Sequence, residues 1–208
     1  MVKNTTSQFK GDVSIVLCGE AGQGIQTVEH ILTQTLKLSG YNVFSTQEYM
    51  SRIRGGNNST SIRISSKRVS APIDRIDILI PFSKGSIDHL KWRISPETII
   101  LGEEKIYKNE YNGDKAINIP ISQIASEVGG PIYSNTIAAS IIAGIFKVDS
   151  NILNEFIRHR FAGKDESIIQ RNIEAVRRGY EVSNKLIEND GIEIDVHSDP
   201  EVSNDIIM

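Results

Sequence analysis

The chain has 208 residues, 39% hydrophobic and 24% charged, and a formal net charge of −3. That length supports a self-sufficient core without disulfides or a metal, and the lack of a basic excess argues against a general nucleic-acid-binding surface. The single cysteine, Cys18, excludes an internal disulfide, and without a CxxC pair the chain by itself holds no iron-sulfur cluster or four-cysteine zinc site.

The opening residues, MVKNTTSQFKGD, contain no hydrophobic stretch of signal-peptide length. The apolar run 13–18 is far too short to span a bilayer, so the cytoplasm is the expected compartment. Residues 12–19 (DVSIVLCG) are nearly all apolar, rich in β-branched side chains and closed by glycine, the pattern of a strand covered on both faces. From 24 to 39, Ile25, Val28, Ile31, Leu32, Leu36 and Leu38 recur at three- and four-residue steps, predicting an amphipathic helix that stops at Gly40. Strand character returns at 41–46. Strand, glycine turn, helix and strand make a βαβ unit, which predicts a parallel pair.

Residues 47–60 carry Gly55, Gly56, Asn57 and Asn58 together and read as a long loop. The alternation in SIRISS (61–66) fits a half-exposed strand at an antiparallel edge, and DILIPF (77–82) fits another buried strand. A short helix is expected over 86–93, then strands at 98–101 and 116–119 separated by the polar insertion KIYKNEYNGDK. Helices follow from about Ser122 to Gly129 and over 135–146, 152–161 and 166–187. The acidic stretch after Glu188 suits a linker or tail. The fold class is therefore α/β: three-layer α/β/α, Rossmann-like, with a mixed mostly parallel sheet and a helical C-terminal third, divided into a domain at 1–188 and a tail at 189–208.

Two features point to a ligand. The turn Gly19-Glu20-Ala21-Gly22-Gln23-Gly24 lies between a buried strand and a helix start, where free backbone N–H groups and the helix dipole favour an anion. A tight strand-to-helix connection would use the same glycines. No Lys-Ser or Lys-Thr follows Gly24, so a Walker A loop is disfavoured. A dinucleotide fingerprint fits imperfectly, since residue 21 is Ala and the second strand reaches an acid only at Glu48. The second feature is a basic island, Arg52, Arg54, Arg63, Lys67 and Arg68, with no acid between Glu48 and Asp74. Folded back to the strand ends it would offer guanidinium groups to phosphate; otherwise it is a solvated face. Cys18 reads as a buried strand residue rather than a nucleophile, and the alternating Asp195, His197 and Asp199 do not make a preformed metal site.

In this order GEAGQGIQ, EYMSRIRGG, SIRISS and DILIPF, followed by SNTIAASIIAGIF and NIEAVRRGY, resemble the gamma domain of the 2-oxoacid:ferredoxin (acceptor) oxidoreductases, the pyruvate and 2-oxoglutarate synthase family. The resemblance spans residues 13–189. It implies a component of a complex that oxidatively decarboxylates a 2-oxoacid, transfers the acyl group to coenzyme A and reduces ferredoxin. Thiamine diphosphate and the iron-sulfur clusters would sit on partner subunits, with alpha and beta units as neighbours and coenzyme A at a shared site. Gly19, Gly22, Gln23, Gly24, Arg52, Arg54, Gly55 and Gly56 carry over as ligand-facing or interface residues. No catalytic acid, base or nucleophile and no metal ligand carries over, so the isolated chain is expected to be inactive. The acidic linker and the terminal NDIIM are similar to members in which gamma is fused ahead of alpha. The expected assembly is a hetero-oligomer, with a homodimer as the alternative for the isolated chain, and neither nucleic acid nor membrane is an expected partner. The competing functions are a free-standing NAD-type oxidoreductase and a regulatory module for a phosphorylated metabolite.

Overall fold

The structure, a computed structural model, describes residues 9–49 and 56–204. A two-residue strand, β1 (Phe9–Lys10), leads into β2 (Asp12–Glu20), which is buried from 13 to 19 because its apolar run meets helices on both faces. Helix α1 (Ile25–Leu38) follows, then β3 (Asn42–Glu48), β4 (Asn57–Ser65) and β5 (Ile78–Pro81). Short α2 (Ser86–Leu90), β6 (Ile99–Gly102), α3 (Glu104–Tyr107) and β7 (Ala116–Asn118) complete the main sheet.

Among the described residues the sheet order is β3-β4-β2-β5-β6-β7. The pairs β2–β5, β5–β6 and β6–β7 are parallel, whereas β4 is antiparallel to both β2 and β3. The βαβ expectation is thus corrected in one respect. Strands β2 and β3 do run the same way, but they do not touch, because β4 pairs between them. SIRISS is likewise interior rather than an edge, and the strand containing it begins at Asn57, inside the stretch read as loop. Alternation alone could not place it, since β4 buries Ile62 and Ile64 on one face and Ser59 and Ser61 on the other.

The two faces carry unequal layers. On one, Val13, Ile15 and Leu17 of β2 and Ile62 and Ile64 of β4 pack with Val28, Ile31, Leu32 and Leu36 of α1 and with the C-terminal helices. Each such side chain contributes about 1.5–3 kcal/mol on burial. On the other, Val16, Leu79 and Ile100 meet Ile87 and Leu90 of α2 and Tyr107 of α3. Helix α1 ends as its sequence predicts: Gly40 (φ 86°) follows it, with Tyr41 N–H donating to Leu36 O (3.0 Å) and Gly40 N–H to Lys37 O (2.9 Å), a Schellman closure.

The last third comprises α4 (Ile121–Val128), a 3-10 turn at Pro131–Tyr133, α5 (Ser134–Ile145), α6 (Ser150–Arg160) and α7 (Glu166–Asn189). Asp149 and Asp165 cap α6 and α7 by accepting from Asn151 N–H (2.9 Å) and Ser167 N–H (2.8 Å). Helix α5 is buried from Thr136 to Ile145 and crosses α7 closely, because small residues meet there: a β-carbon on Gly179 would lie 2.4 Å from Ser140 Cβ. No single described helix is long and apolar enough to cross a membrane.

The stretch read as a linker or tail carries packed residues and backbone pairing as far as Asp199. Ile192 and Val196 are buried, β8 (Ile194–Asp195) pairs in parallel with β1, and Asp199 N–H donates to Gly40 O (2.7 Å). This strap lies under the N-terminal end of the sheet, held by its backbone more than by apolar periodicity, which is why its acidic composition concealed it.

Candidate functional site

Strand β2 delivers the glycine turn to the end of the sheet where the strand order changes direction: α1 leads leftward to β3, and α2 leaves β5 on the opposite face. Such a switch point opens a crevice at the carboxyl ends of parallel strands. Three glycines there act for three different reasons. Gly22 (φ 91°) faces open space and is needed for its backbone angle. At Gly19 a β-carbon would lie 2.4 Å from Gln23 Oε1 and 2.8 Å from Phe82 Cβ. At Gly24 (φ 78°), which starts α1, it would lie 1.9 Å from Nδ2 of Asn135.

Gln23 folds back on the turn, its Oε1 accepting from Glu20 N–H at 3.0 Å. The same N–H reaches Ser83 Oγ (3.1 Å), whose hydroxyl donates to Asn57 Oδ1 (2.8 Å), while Ser86 Oγ donates to Cys18 O (2.9 Å). The register sets Asn57 opposite Glu20, so Gly56, just ahead of β4, stands at the glycine-turn end of the sheet. Cys18 is fully buried; burial pushes its thiol up to about 11, with the Ser86 hydrogen bond opposing and Glu110 and Glu48 adding to the rise. It is a protonated core residue at neutral pH.

A cleft lies on each side of the turn. One, of about 590 Å³, is lined mainly by apolar groups, among them Ile80, Phe82, Ile106 and Ile132, together with Gly22, Gln23 and Asn135. Glu103 also lines it. Burial disfavours the charge of this carboxylate, but Lys105 (2.8 Å) and donation from Ser122 N–H (2.6 Å) and Oγ (2.8 Å) outweigh that, so its pKa falls below the ordinary range. The second cleft, about 420 Å³, lies over the first turn of α1, between Gly22, Gln26, Glu48 and Tyr49. That turn itself carries no acidic residue, so its backbone N–H groups face the cleft alongside the carboxylates of Glu20 and Glu48 on the cleft wall. Tyr49 OH accepts from Gln26 Nε2 (2.8 Å) and its ring is 61% exposed.

The described members of the basic island lie away from the turn. Arg63 binds Asp12 through Nε (3.0 and 3.1 Å) near the start of β2, and Lys67 and Arg68 line a separate cavity of about 670 Å³ with Asp199 and Glu201 at the opposite end of the sheet. No described lysine or arginine lines either cleft beside the turn. Arg52, Arg54 and Gly55 lie outside the described residues. The inserted β4 also moves β3 two strand spacings, about 10 Å, from β2, so Glu48 is not where a dinucleotide fold puts its ribose-binding acid. Asp195 meets His197 at 3.2 Å, but among the described residues no three metal-ligating side chains converge. Asn135 is the site residue that sequence reasoning missed; only its place in the fold, beside Gly24, singles it out.

The doubly wound sheet with a crevice at its switch point defines an α/β domain of Rossmann-like architecture. More particularly, the chain belongs to the pyruvate ferredoxin/flavodoxin oxidoreductase family, whose pattern matches residues 14–182. It is 27% identical over 182 residues to the ketoisovalerate oxidoreductase subunit VorA of Methanothermobacter thermautotrophicus, covering 86% of this chain and 38% of that one. It is 23% identical over 177 residues to the 2-oxoglutarate synthase subunit KorC of Archaeoglobus fulgidus, covering 84% and 90%. Its fold is similar to that of the 2-oxoglutarate:ferredoxin oxidoreductase of Magnetococcus marinus, solved with 2-oxoglutarate, coenzyme A and succinyl-CoA (TM-score 0.76, 24% identity, 92% of this chain and 34% of that one). It is also similar to a keto/oxoacid ferredoxin oxidoreductase gamma subunit from Geobacter sulfurreducens (TM-score 0.67, 19% identity, 83% and 98%). The chain thus spans little more than a third of VorA and of the Magnetococcus chain, and nearly the whole of KorC and the Geobacter subunit.

Proposed function

We propose that the chain is a gamma-type component of a cytoplasmic 2-oxoacid:ferredoxin or related acceptor oxidoreductase. It packs against alpha and beta units that carry thiamine diphosphate, with the iron-sulfur clusters also on partners and ferredoxin served by the whole complex. Its contribution is one wall of a shared coenzyme A site. The observation that carries this reading is the pair of clefts divided by the glycine turn. A coenzyme A molecule joins a mostly apolar arm to a phosphorylated end, and the turn joins a mostly apolar cleft to a helix N-terminus whose own first turn carries no acid, with Glu20 and Glu48 on the cleft wall making added positive charge necessary there. Gly22 and Gly24 belong to that site. Gln23 acts by holding the turn, and Arg52, Arg54, Gly55 and Gly56 are proposed from the sequence to supply the charge that the described walls lack. Acid-base and nucleophilic chemistry is assigned to the partners in this reading, and Cys18, buried with its thiol pKa raised, takes no part in it.

Affinity purification of the chain from its source organism tests this. The expected result is co-purification of thiamine diphosphate-containing chains with coenzyme A-dependent oxidation of a 2-oxoacid. A chain recovered alone that binds NAD at micromolar concentration overturns it.

A further inference from the structure

Five polar side chains line the larger cleft beside the turn, and three of them are already engaged. Gln23 accepts from Glu20 N–H, Glu103 holds Ser122 and Lys105, and the Ser122 hydroxyl donates to Glu103. Ser134 and Asn135 remain, with no side-chain hydrogen bond among the described residues. Asn135 is set apart by how it is held. It sits half-buried in the first turn of α5, with its amide against the backbone of Gly24, at the spot a β-carbon there would occupy. The glycine that begins α1 therefore makes room for a carboxamide that faces an apolar cleft without a partner.

We propose that Asn135 is a specificity-determining residue, whose amide pairs with an amide of an uncharged ligand chain lying in this cleft. A carboxamide both donates and accepts, so it matches another amide in a reciprocal pair. A ligand that covers this half-buried amide without offering one of its own strips its water and returns no hydrogen bond, which makes the site discriminate against ligands lacking that group. Ile80, Phe82, Ile106 and Ile132 suit the methylene segments between amides. The ligand class is a narrow methylene chain interrupted by amides. Resting on the reading above, this is the pantetheine arm of coenzyme A, and Asn135 reads it while the α1 end of the site reads the phosphates.

The test uses the complex that contains this chain, with coenzyme A and pantetheine as separate acyl acceptors. Asn135→Ala is expected to raise KM for both acceptors alike, by about tenfold, with kcat and the KM for the 2-oxoacid within about twofold of wild type. Asn135→Asp, of equal size but without the donors, is expected to do at least as much and serves where the alanine variant does not fold. Gln26→Glu, which adds charge to the first turn of α1, is expected to raise KM for coenzyme A more than for pantetheine. Unchanged KM values in folded Asn135 variants, beside a raised value in Gln26→Glu, overturn the assignment of Asn135 and leave the shared site standing. If none of the variants moves KM for coenzyme A, both readings fall.

Discussion

The two ends of the sheet solve opposite problems with the same stretch of sequence. At the carboxyl ends of β2 and β5 the chain needs space, and it uses glycine to admit side chains: Gly19 admits Gln23, and Gly24 admits Asn135. At the other end it needs closure, and it uses charge and backbone pairing: Arg63 with Asp12, Asp77 accepting from Ser14 N–H (2.8 Å), and the strap pairing β8 with β1. Strand β4 joins the two ends. Its nine residues, at about 3.3 Å each, carry the chain roughly 30 Å from Gly56 beside the turn to Lys67 and Arg68 beside the strap. Arg63, Lys67 and Arg68 are thereby held at the closing end.

The largest effect expected from breaking this division lies in the strap. Ile192 is 1% exposed, so Ile192→Ala should cost about 3 kcal/mol in urea unfolding. A loose linker would give a change under about 0.5 kcal/mol, and that result would remove the strap from the closing end. Next comes the turn. Gly24→Ala combines a left-handed backbone with displacement of Asn135 and should cost about 2 kcal/mol, whereas Gly22→Ala, facing open space, should cost about 1 kcal/mol. The difference between the two glycines should vanish in an Asn135→Ala background, because the crowding is then gone. A difference that persists would place the cost in the backbone alone.

Much of the fold was legible because burial leaves a period. The run 13–18, the α1 face from Ile25 to Leu36 and the long amphipathic α7 could be read directly, and Gly40 marked its helix end. What was not legible depended on pairing between distant segments. Nothing in SIRISS says that it inserts between β2 and β3, since that choice is made by strand partners rather than by alternation. The strap was lost because two-residue strands have no period. Of the site, the glycine turn was visible as a motif but the reason for each glycine was not. Gly24 answers to Asn135, which joins it only after the last third of the chain has folded against α1. The basic island was visible as a cluster, but the alternation of β4 did not reveal that Arg63, Lys67 and Arg68 fall at the end of the strand away from the turn.

A smaller effect falls on Glu103, which caps α4 beside the ligand-facing cleft. Its pKa is lowered in the folded state, so its contribution is present above the unfolded value, near 4.3, and is lost as pH falls through the lower folded value. Glu103→Gln should therefore cost about 1 kcal/mol at pH 7 and leave a shallower loss of stability on acidification than wild type. Equal acid limbs in the two proteins would mean that the carboxylate is not held by Ser122 and Lys105.

The smallest effect sharpens the comparison most. Arg68 is exposed and lies with Lys67 in the cavity at the strap, away from both clefts of the turn. Arg68→Ala should change stability by less than about 0.5 kcal/mol. In the complex it should leave KM for coenzyme A unaltered, whereas Arg54→Ala should raise it. Were the whole island one phosphate site, both substitutions would weaken coenzyme A binding and the salt dependence of KM would flatten in each. The length of β4 keeps Arg68 from doing so. A raised KM in Arg68→Ala would therefore count against the separation of the two ends themselves, because no movement of one exposed side chain spans the length of the strand.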